Sequence, residues 1–158
     1  MYRQAIVVLL LCVLCVVGCL APSRAAVSCT ISATAVRFGK YDVFNGAATN
    51  SNGTITYDCV GFLLPLGSGP VTIFLGKGAA PTFTPRFMRR GVNRLNYNLF
   101  LDAGLTQIWG DGTGGTSTYS ATAVNGVRVA VTVFGSILAG QDVTVGRYRD
   151  TIRATINF

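Results

Sequence analysis

The chain has 158 residues, half of them hydrophobic and 12% charged, with 13 Lys and Arg against six acids and a net charge of +7. All six acids are Asp, and Glu and His are absent. A Ser-His-Asp triad, a Cys-His dyad, a His-ligated metal and a Glu general acid cannot be built from these residues, and the apolar content is too high for a disordered chain.

The first segment reads as an address. Arg3 precedes an uncharged run from Ala5 to Ala21, and Pro22-Ser23-Arg24-Ala25-Ala26 then ends it with small residues. This is the layout of a secretory signal peptide. Ser23 and Ala25 fit the −3 and −1 positions, so cleavage is expected after Ala25, give or take one residue. A signal peptide over 1–25 and a single domain over 26–158 follow, with export through the Sec pathway. Two alternatives stand beside it. The run could be an uncleaved anchor, although it is short for a membrane span. Val16-Val17-Gly18-Cys19 also resembles a lipobox, which would lipidate Cys19. Loss of Arg3 and Arg24 with the leader lowers the net charge from +7 to +5.

Cys12, Cys15 and Cys19 fall in the leader, leaving Cys29 and Cys59. An even pair in an exported chain reads as a disulfide. Two buried free thiols are the alternative, and a metal site lacks a third Cys or a His.

The body alternates with a period of two, as strands do. Val27, Cys29, Ile31, Ala33 and Ala35 share one phase, then Ile55, Tyr57 and Cys59. Both cysteines thus lie in the apolar phase, where they could meet between sheets. Val71, Ile73 and Leu75 alternate next, followed by Leu95, Tyr97, Leu99 and Leu101. Val127, Val129, Val131 and Val133 alternate, as do Ile152, Ala154, Ile156 and Phe158. Turn-rich stretches separate these runs at 45–53, 76–85, 110–117 and 135–146. Helical periodicity is missing, so an antiparallel sandwich is expected.

The ordered motifs resemble a known family. They are Cys29-Thr-Ile-Ser-Ala-Thr, Val36-Arg-Phe-Gly-Lys-Tyr-Asp42 and Gly53-Thr-Ile-Thr-Tyr-Asp-Cys59. Leu95-Asn-Tyr-Asn-Leu-Phe-Leu-Asp102, Trp109-Gly-Asp-Gly112 and the closing Gly146–Phe158 stretch follow. The set is similar to the spore coat protein U domain, the subunit domain of archaic chaperone–usher pili. The resemblance implies an immunoglobulin-like β-sandwich lacking one strand, with an apolar groove between its sheets. Its partners would be a periplasmic pilus chaperone, an outer-membrane usher and the neighbouring subunit, whose strand enters by β-augmentation. Val127, Val129, Val131, Val133, Ile152, Ala154, Ile156 and Phe158 are the candidate groove residues.

Stacking subunits of such a family carry a donor strand ahead of the first cysteine. Cleavage after Ala25 would leave three residues there, so this chain is expected to receive a strand and not to give one. A tip position, in adhesion or biofilm formation, is the corresponding expectation, as is a single domain that caps or is secreted. A seventh strand supplied within the chain is a further possibility. The expected location is the periplasm and then the cell surface.

Gly61-Phe-Leu-Leu-Pro-Leu-Gly-Ser-Gly69 replaces a short polar stretch common in the family. Phe62, Leu63, Leu64 and Leu66 either fold back over the core or form an apolar adhesive loop. Arg86 to Arg94 is the one basic cluster, read as a solvated face, with attraction to an anionic surface left open. No nucleic-acid module is recognisable. Trp109 reads as a plug at one end of the sandwich or as a sugar-stacking residue. Tyr148 resembles a tyrosine-corner position. The scattered Asp residues suggest turn caps rather than calcium ligands. The function expected is a non-catalytic fimbrial subunit without cofactor or metal. The rivals are a self-assembling extracellular coat or matrix protein, and a carbohydrate-binding module.

Overall fold

A computed structural model describes residues 26–63 and 67–158; the expected signal peptide lies outside them. Eight strands follow one another among the described residues: β1 Ser28–Thr34, β2 Thr49–Val60, β3 Ser68–Leu75, β4 Arg86–Arg90, β5 Asn93–Phe100, β6 Tyr119–Val124, β7 Val129–Ile137 and β8 Ala154–Asn157. They form a five-stranded sheet in the order β1-β2-β7-β5-β4 and a three-stranded sheet in the order β6-β3-β8. All pairings between these strands are antiparallel. The antiparallel all-β sandwich expected from the alternation, immunoglobulin-like as the family resemblance implies, is the fold found.

The alternation places the core. Ile55, Tyr57 and Cys59 of β2 face Val71, Ile73 and Leu75 of β3, with Leu95, Tyr97 and Leu99 of β5 and Val133 and Ile137 of β7 beside them. All of these are buried. Trp109, fully buried, plugs this core and donates its indole N–H to the Ile73 carbonyl at 3.0 Å. It offers no face to a sugar, so the stacking reading falls.

The disulfide is present, but its geometry differs from the expectation. Cys29 and Cys59 are direct partners on neighbouring strands of one sheet, with Cα atoms 4.1 Å apart. They staple β1 to β2 and do not bridge the sheets. The shared apolar phase holds, because both residues face inward from adjacent strands.

Two glycines that read as turn residues lie inside strands. Gly53 pairs with Val133 and Gly135 pairs with Ser51. A Cβ on Gly53 would stand 2.8 Å from the Thr34 carbonyl oxygen, and one on Gly135 would stand 2.7 Å from Val36 Cγ1. The segment after β1 crosses the sheet at these bare positions. The glycines there serve close approach rather than chain reversal. Val127 lies in the turn after β6, ahead of β7, and β8 is shorter than the run from Ile152 to Phe158.

Candidate functional site

The smaller sheet covers only part of the larger one. β8 pairs with β3 along one edge, and β1 pairs with β2 along one edge. Neither strand is paired along its opposite edge among the described residues. Between them lies a cleft of about 330 Å³. Its floor is Ile55, Tyr97, Leu99 and Val133 from the larger sheet. One wall is the crossing segment Ala33–Val36 with Phe38, and the other is Asp150–Ile152 with Ala154. Ala33 belongs to the inward phase of β1 yet is exposed. That is the mark of a core position with no layer over it.

The crossing wall is held by packing and a few bonds. Phe38 meets Tyr97 edge-on at 5.9 Å between ring centroids. The Ser51 hydroxyl donates to the Arg37 carbonyl at 2.7 Å. Farther along, the Tyr41 hydroxyl donates to the Leu138 carbonyl and accepts from the Gln141 N–H.

One end of the cleft is polar. The Tyr97 hydroxyl donates to Asp150 Oδ2 at 2.7 Å, and the Ala79 and Thr151 amides donate to Asp150 Oδ1. Burial, then the bond to Asp150, pushes the Tyr97 phenol well above its ordinary range. Tyr57, buried beside Tyr119, is pushed up in the same way. Next to Tyr97 stands Arg86, whose guanidinium is fully buried. It donates to the Gly76 carbonyl, the Trp109 carbonyl and Asn98 Oδ1, and lies 5.0 Å from the Phe83 ring centroid. Burial lowers its pKa from the ordinary guanidinium value. Arg86 is thus no part of a solvated face. A fork of five donors satisfies three carbonyl-type oxygens at once, which an ammonium cannot match.

The sequence candidates divide. Val133, Ile152 and Ala154 line the cleft. Val129, Val131 and Ile156 pack against the core outside its lining. Val127 and Phe158 are about half exposed and stand apart from it. Alternation identifies an inward face, but it does not say where along a strand the covering layer stops. Alternation also misses Val36 and Phe38, because their segment follows no strand. The bare Gly53 and Gly135 opposite them are the available signal.

Within the apolar loop, Phe62 folds back. Its ring lies over Gly69, and its backbone N–H and carbonyl both bond the Asn125 side chain. Leu63 is exposed, and Leu64 and Leu66 lie outside the described residues. Tyr148 donates its hydroxyl to the Thr144 carbonyl four residues upstream, as a tyrosine corner does. Asp102 accepts from the Thr106 and Gln107 amides, and Asp111 from Thr113. These carboxylates cap turns, and both are held below the ordinary carboxylate range by those bonds. No group of three metal-ligating side chains occurs among the described residues.

The same architecture occurs elsewhere. A chain in the crystal structure of the CsuC–CsuE chaperone-tip adhesion subunit pre-assembly complex, from archaic chaperone–usher Csu pili of Acinetobacter baumannii, superposes with a TM-score of 0.56 at 19% identity. The match covers 84% of the present chain and 40% of that one. Protein U of Myxococcus xanthus is 29% identical over 133 residues, which is 78% of this chain and 71% of that protein. Residues 19–155 match the family model of the Spore Coat Protein U domain. With the sandwich, its cross-strand disulfide and this match over most of its length, the chain belongs to the Spore Coat Protein U domain family.

Proposed function

We propose that the protein is a non-catalytic fimbrial subunit that accepts a β-strand from a partner. The observation that carries this reading is the free edge of β8 beside an uncovered apolar cleft. A strand added there would become a fourth member of the β6-β3-β8 sheet. Its main chain would pair with β8, and alternate side chains would fill the space over Ile55, Leu99 and Val133. An open strand edge beside an apolar cleft invites aggregation, so a partner must be present from export onward. A periplasmic chaperone suits the first occupancy, and a neighbouring subunit delivered through an outer-membrane usher suits the second. The family and the chaperone-bound setting of the structural neighbour support this order. An adhesive role at the fibre tip is the finer part of the reading, supported by the tip adhesion subunit in that neighbour's complex.

The test is export of the chain into a periplasm with and without a cognate chaperone. Recovery only as a one-to-one complex, lost on Ile152→Asp, supports strand acceptance. A soluble, cooperatively folding monomer without chaperone overturns it. That outcome favours the second reading, a self-assembling extracellular coat protein, which the family's own description suggests.

A further inference from the structure

The basic cluster singled out in the sequence finds its setting at one pole of the sandwich. The β4–β5 hairpin turns there at Gly91-Val92, and the loop before β8 brings Val145 beside it. Arg90 joins them, donating to the Thr144 hydroxyl at 3.0 Å and packing against Gly146. The Arg89 and Arg149 backbones bond each other in both directions, tying the loop to the hairpin. The same pole receives the start of β2 and the end of β7, since Thr49 pairs with Ile137. The loop entering β2 carries Phe44, and Leu138 follows β7.

Four large apolar side chains from the loops at this pole therefore share one end of the molecule. Phe44, Val92 and Val145 are 95%, 94% and 93% exposed, and Leu138 is 66% exposed. Around the hairpin stand Arg89, Arg90, Arg94 and Arg147, all exposed. Arg89 and Arg94 flank the Phe87 ring at 5.1 and 4.5 Å, which props both guanidinium groups on the outer sheet face. Their positions are set by an aromatic ring and by uncharged acceptors, so the positive charge remains available to a ligand.

Apolar tips beside a cluster of exposed arginines match one chemistry better than any other. An anionic lipid surface offers phosphates to the guanidinium groups and an acyl boundary to the tips. A soluble polyanion would use the arginines and leave the apolar residues without a purpose. A bare hydrophobic surface would do the reverse. We infer that this pole docks on an anionic lipid bilayer, with Val92 and Val145 entering the interface and Arg94 and Arg147 on headgroup phosphates. This deepens the adhesive part of the proposed function by naming its target chemistry. It does not depend on strand acceptance, because the residues lie on loops outside the cleft.

The experiment is co-sedimentation of the exported full chain, in the form recovered from the periplasm, with any co-purified chaperone alone as the blank. The probes are vesicles of phosphatidylglycerol mixed with phosphatidylcholine, vesicles of phosphatidylcholine alone, and soluble polyphosphate as competitor. Binding to the anionic vesicles, weakening with salt, is expected. Arg94→Gln/Arg147→Gln should reduce it about tenfold or more, from the contribution of each basic residue near a charged surface. Val92→Ser/Val145→Ser should also reduce it, while Arg128→Gln at the opposite pole should change it little. Circular dichroism checks that each variant is folded. Equal binding to both vesicle types overturns the inference, as does absence of binding to either. Binding unaffected by the valine variants and fully competed by polyphosphate also overturns it, in favour of an anionic polymer. Because donor-strand capture is read separately by chaperone dependence, either idea can fail alone.

Discussion

Tyr97 and Asp150 join the two halves of the sandwich across the polar end of the cleft, with the phenol donating to the carboxylate at 2.7 Å. Tyr97 projects inward from the larger sheet, and Asp150 begins the segment that leads into β8 of the smaller one. The bond therefore positions the strand whose outer edge is free. Hydrogen bonds to a charged group contribute about 1.5–3 kcal/mol. Tyr97→Phe should cost about that much in denaturant unfolding, with the larger effect on the Asp150–Ala154 segment in hydrogen exchange. Uniform loss of protection would show that the bond does not specifically hold the β8 approach.

The same contact sets an alkaline limit. The Tyr97 and Tyr57 phenols are both raised in the folded state, chiefly by burial. A raised acid binds its proton more tightly when folded, so its contribution is intact below the ordinary phenol value of about 10. It is lost progressively as the pH climbs above that. Absorbance titration at 295 nm should show two of the five tyrosines in the described residues ionising only together with unfolding. Smooth ionisation of all five near pH 10, with the fold intact, would contradict the burial argument.

Much of this fold is legible in the sequence, and the reasons for the rest are physical. β2, β3, β5 and β7 announce themselves because each has one buried face, which imposes apolar alternation. β4 does not, since its sequence Arg-Phe-Met-Arg-Arg puts a charge at the inward position of Arg86. Only the surrounding carbonyls make that burial possible, and they come from Gly76 and Trp109, ten and more residues away. β6 is hidden for another reason. Tyr-Ser-Ala-Thr-Ala-Val is mostly small, and only Ala123 of that strand is fully buried. The cleft is half legible: Ile152 and Ala154 follow from strand alternation, whereas Val36 and Phe38 depend on a crossing that only Gly53 and Gly135 permit.

Arg86 should be among the least replaceable residues. Its planar fork reaches the Gly76 and Trp109 carbonyls and Asn98 Oδ1 together. Arg86→Lys keeps the charge but cannot span the three oxygens, leaving buried acceptors unpaired at about 1–3 kcal/mol each. We expect Arg86→Lys to lower stability by about 2–4 kcal/mol, and Arg86→Ala by more, through the added cavity. The denaturant midpoint measures both. A lysine variant within about 0.5 kcal/mol of the parent would mean that water replaces the fork.

The disulfide closes a loop with a sequence separation of 30. The chain-entropy model assigns such a loop about 3.5–4 kcal/mol. Cys29→Ala/Cys59→Ala should lose roughly that amount, and β1 should show the greatest gain in hydrogen exchange because it pairs with β2 alone. Since β1 leads into the cleft wall, the variant should also bind a strand-donating partner less well. Unchanged affinity with a full stability loss would separate the staple from the cleft.

Gly53 and Gly135 allow a sharper test of how that wall is held. A Cβ at Gly135 would meet side chains, Val36 Cγ1 at 2.7 Å and Phe38 Cζ at 2.8 Å. A Cβ at Gly53 would meet the Thr34 carbonyl oxygen at 2.8 Å, which is backbone, as well as Val36 Cγ2 at 2.9 Å. Overpacking of this kind costs about 1–3 kcal/mol, and both Gly→Ala variants should fall in that range. Only the contacts at Gly135 can be relieved wholly by trimming the facing side chains. Trimming Val36 and Phe38 to Ala and Leu makes room for a methyl at position 135, so Gly135→Ala should cost less in that background. Gly53→Ala should recover only part of its cost there, because trimming Val36 removes one contact while the Thr34 carbonyl stays where β1 places it. Double-mutant cycles on the denaturant midpoint read the difference as larger coupling at 135 than at 53. Equal coupling at both sites would mean that the whole crossing segment shifts as one body, and the cleft wall would then be adjustable rather than preset.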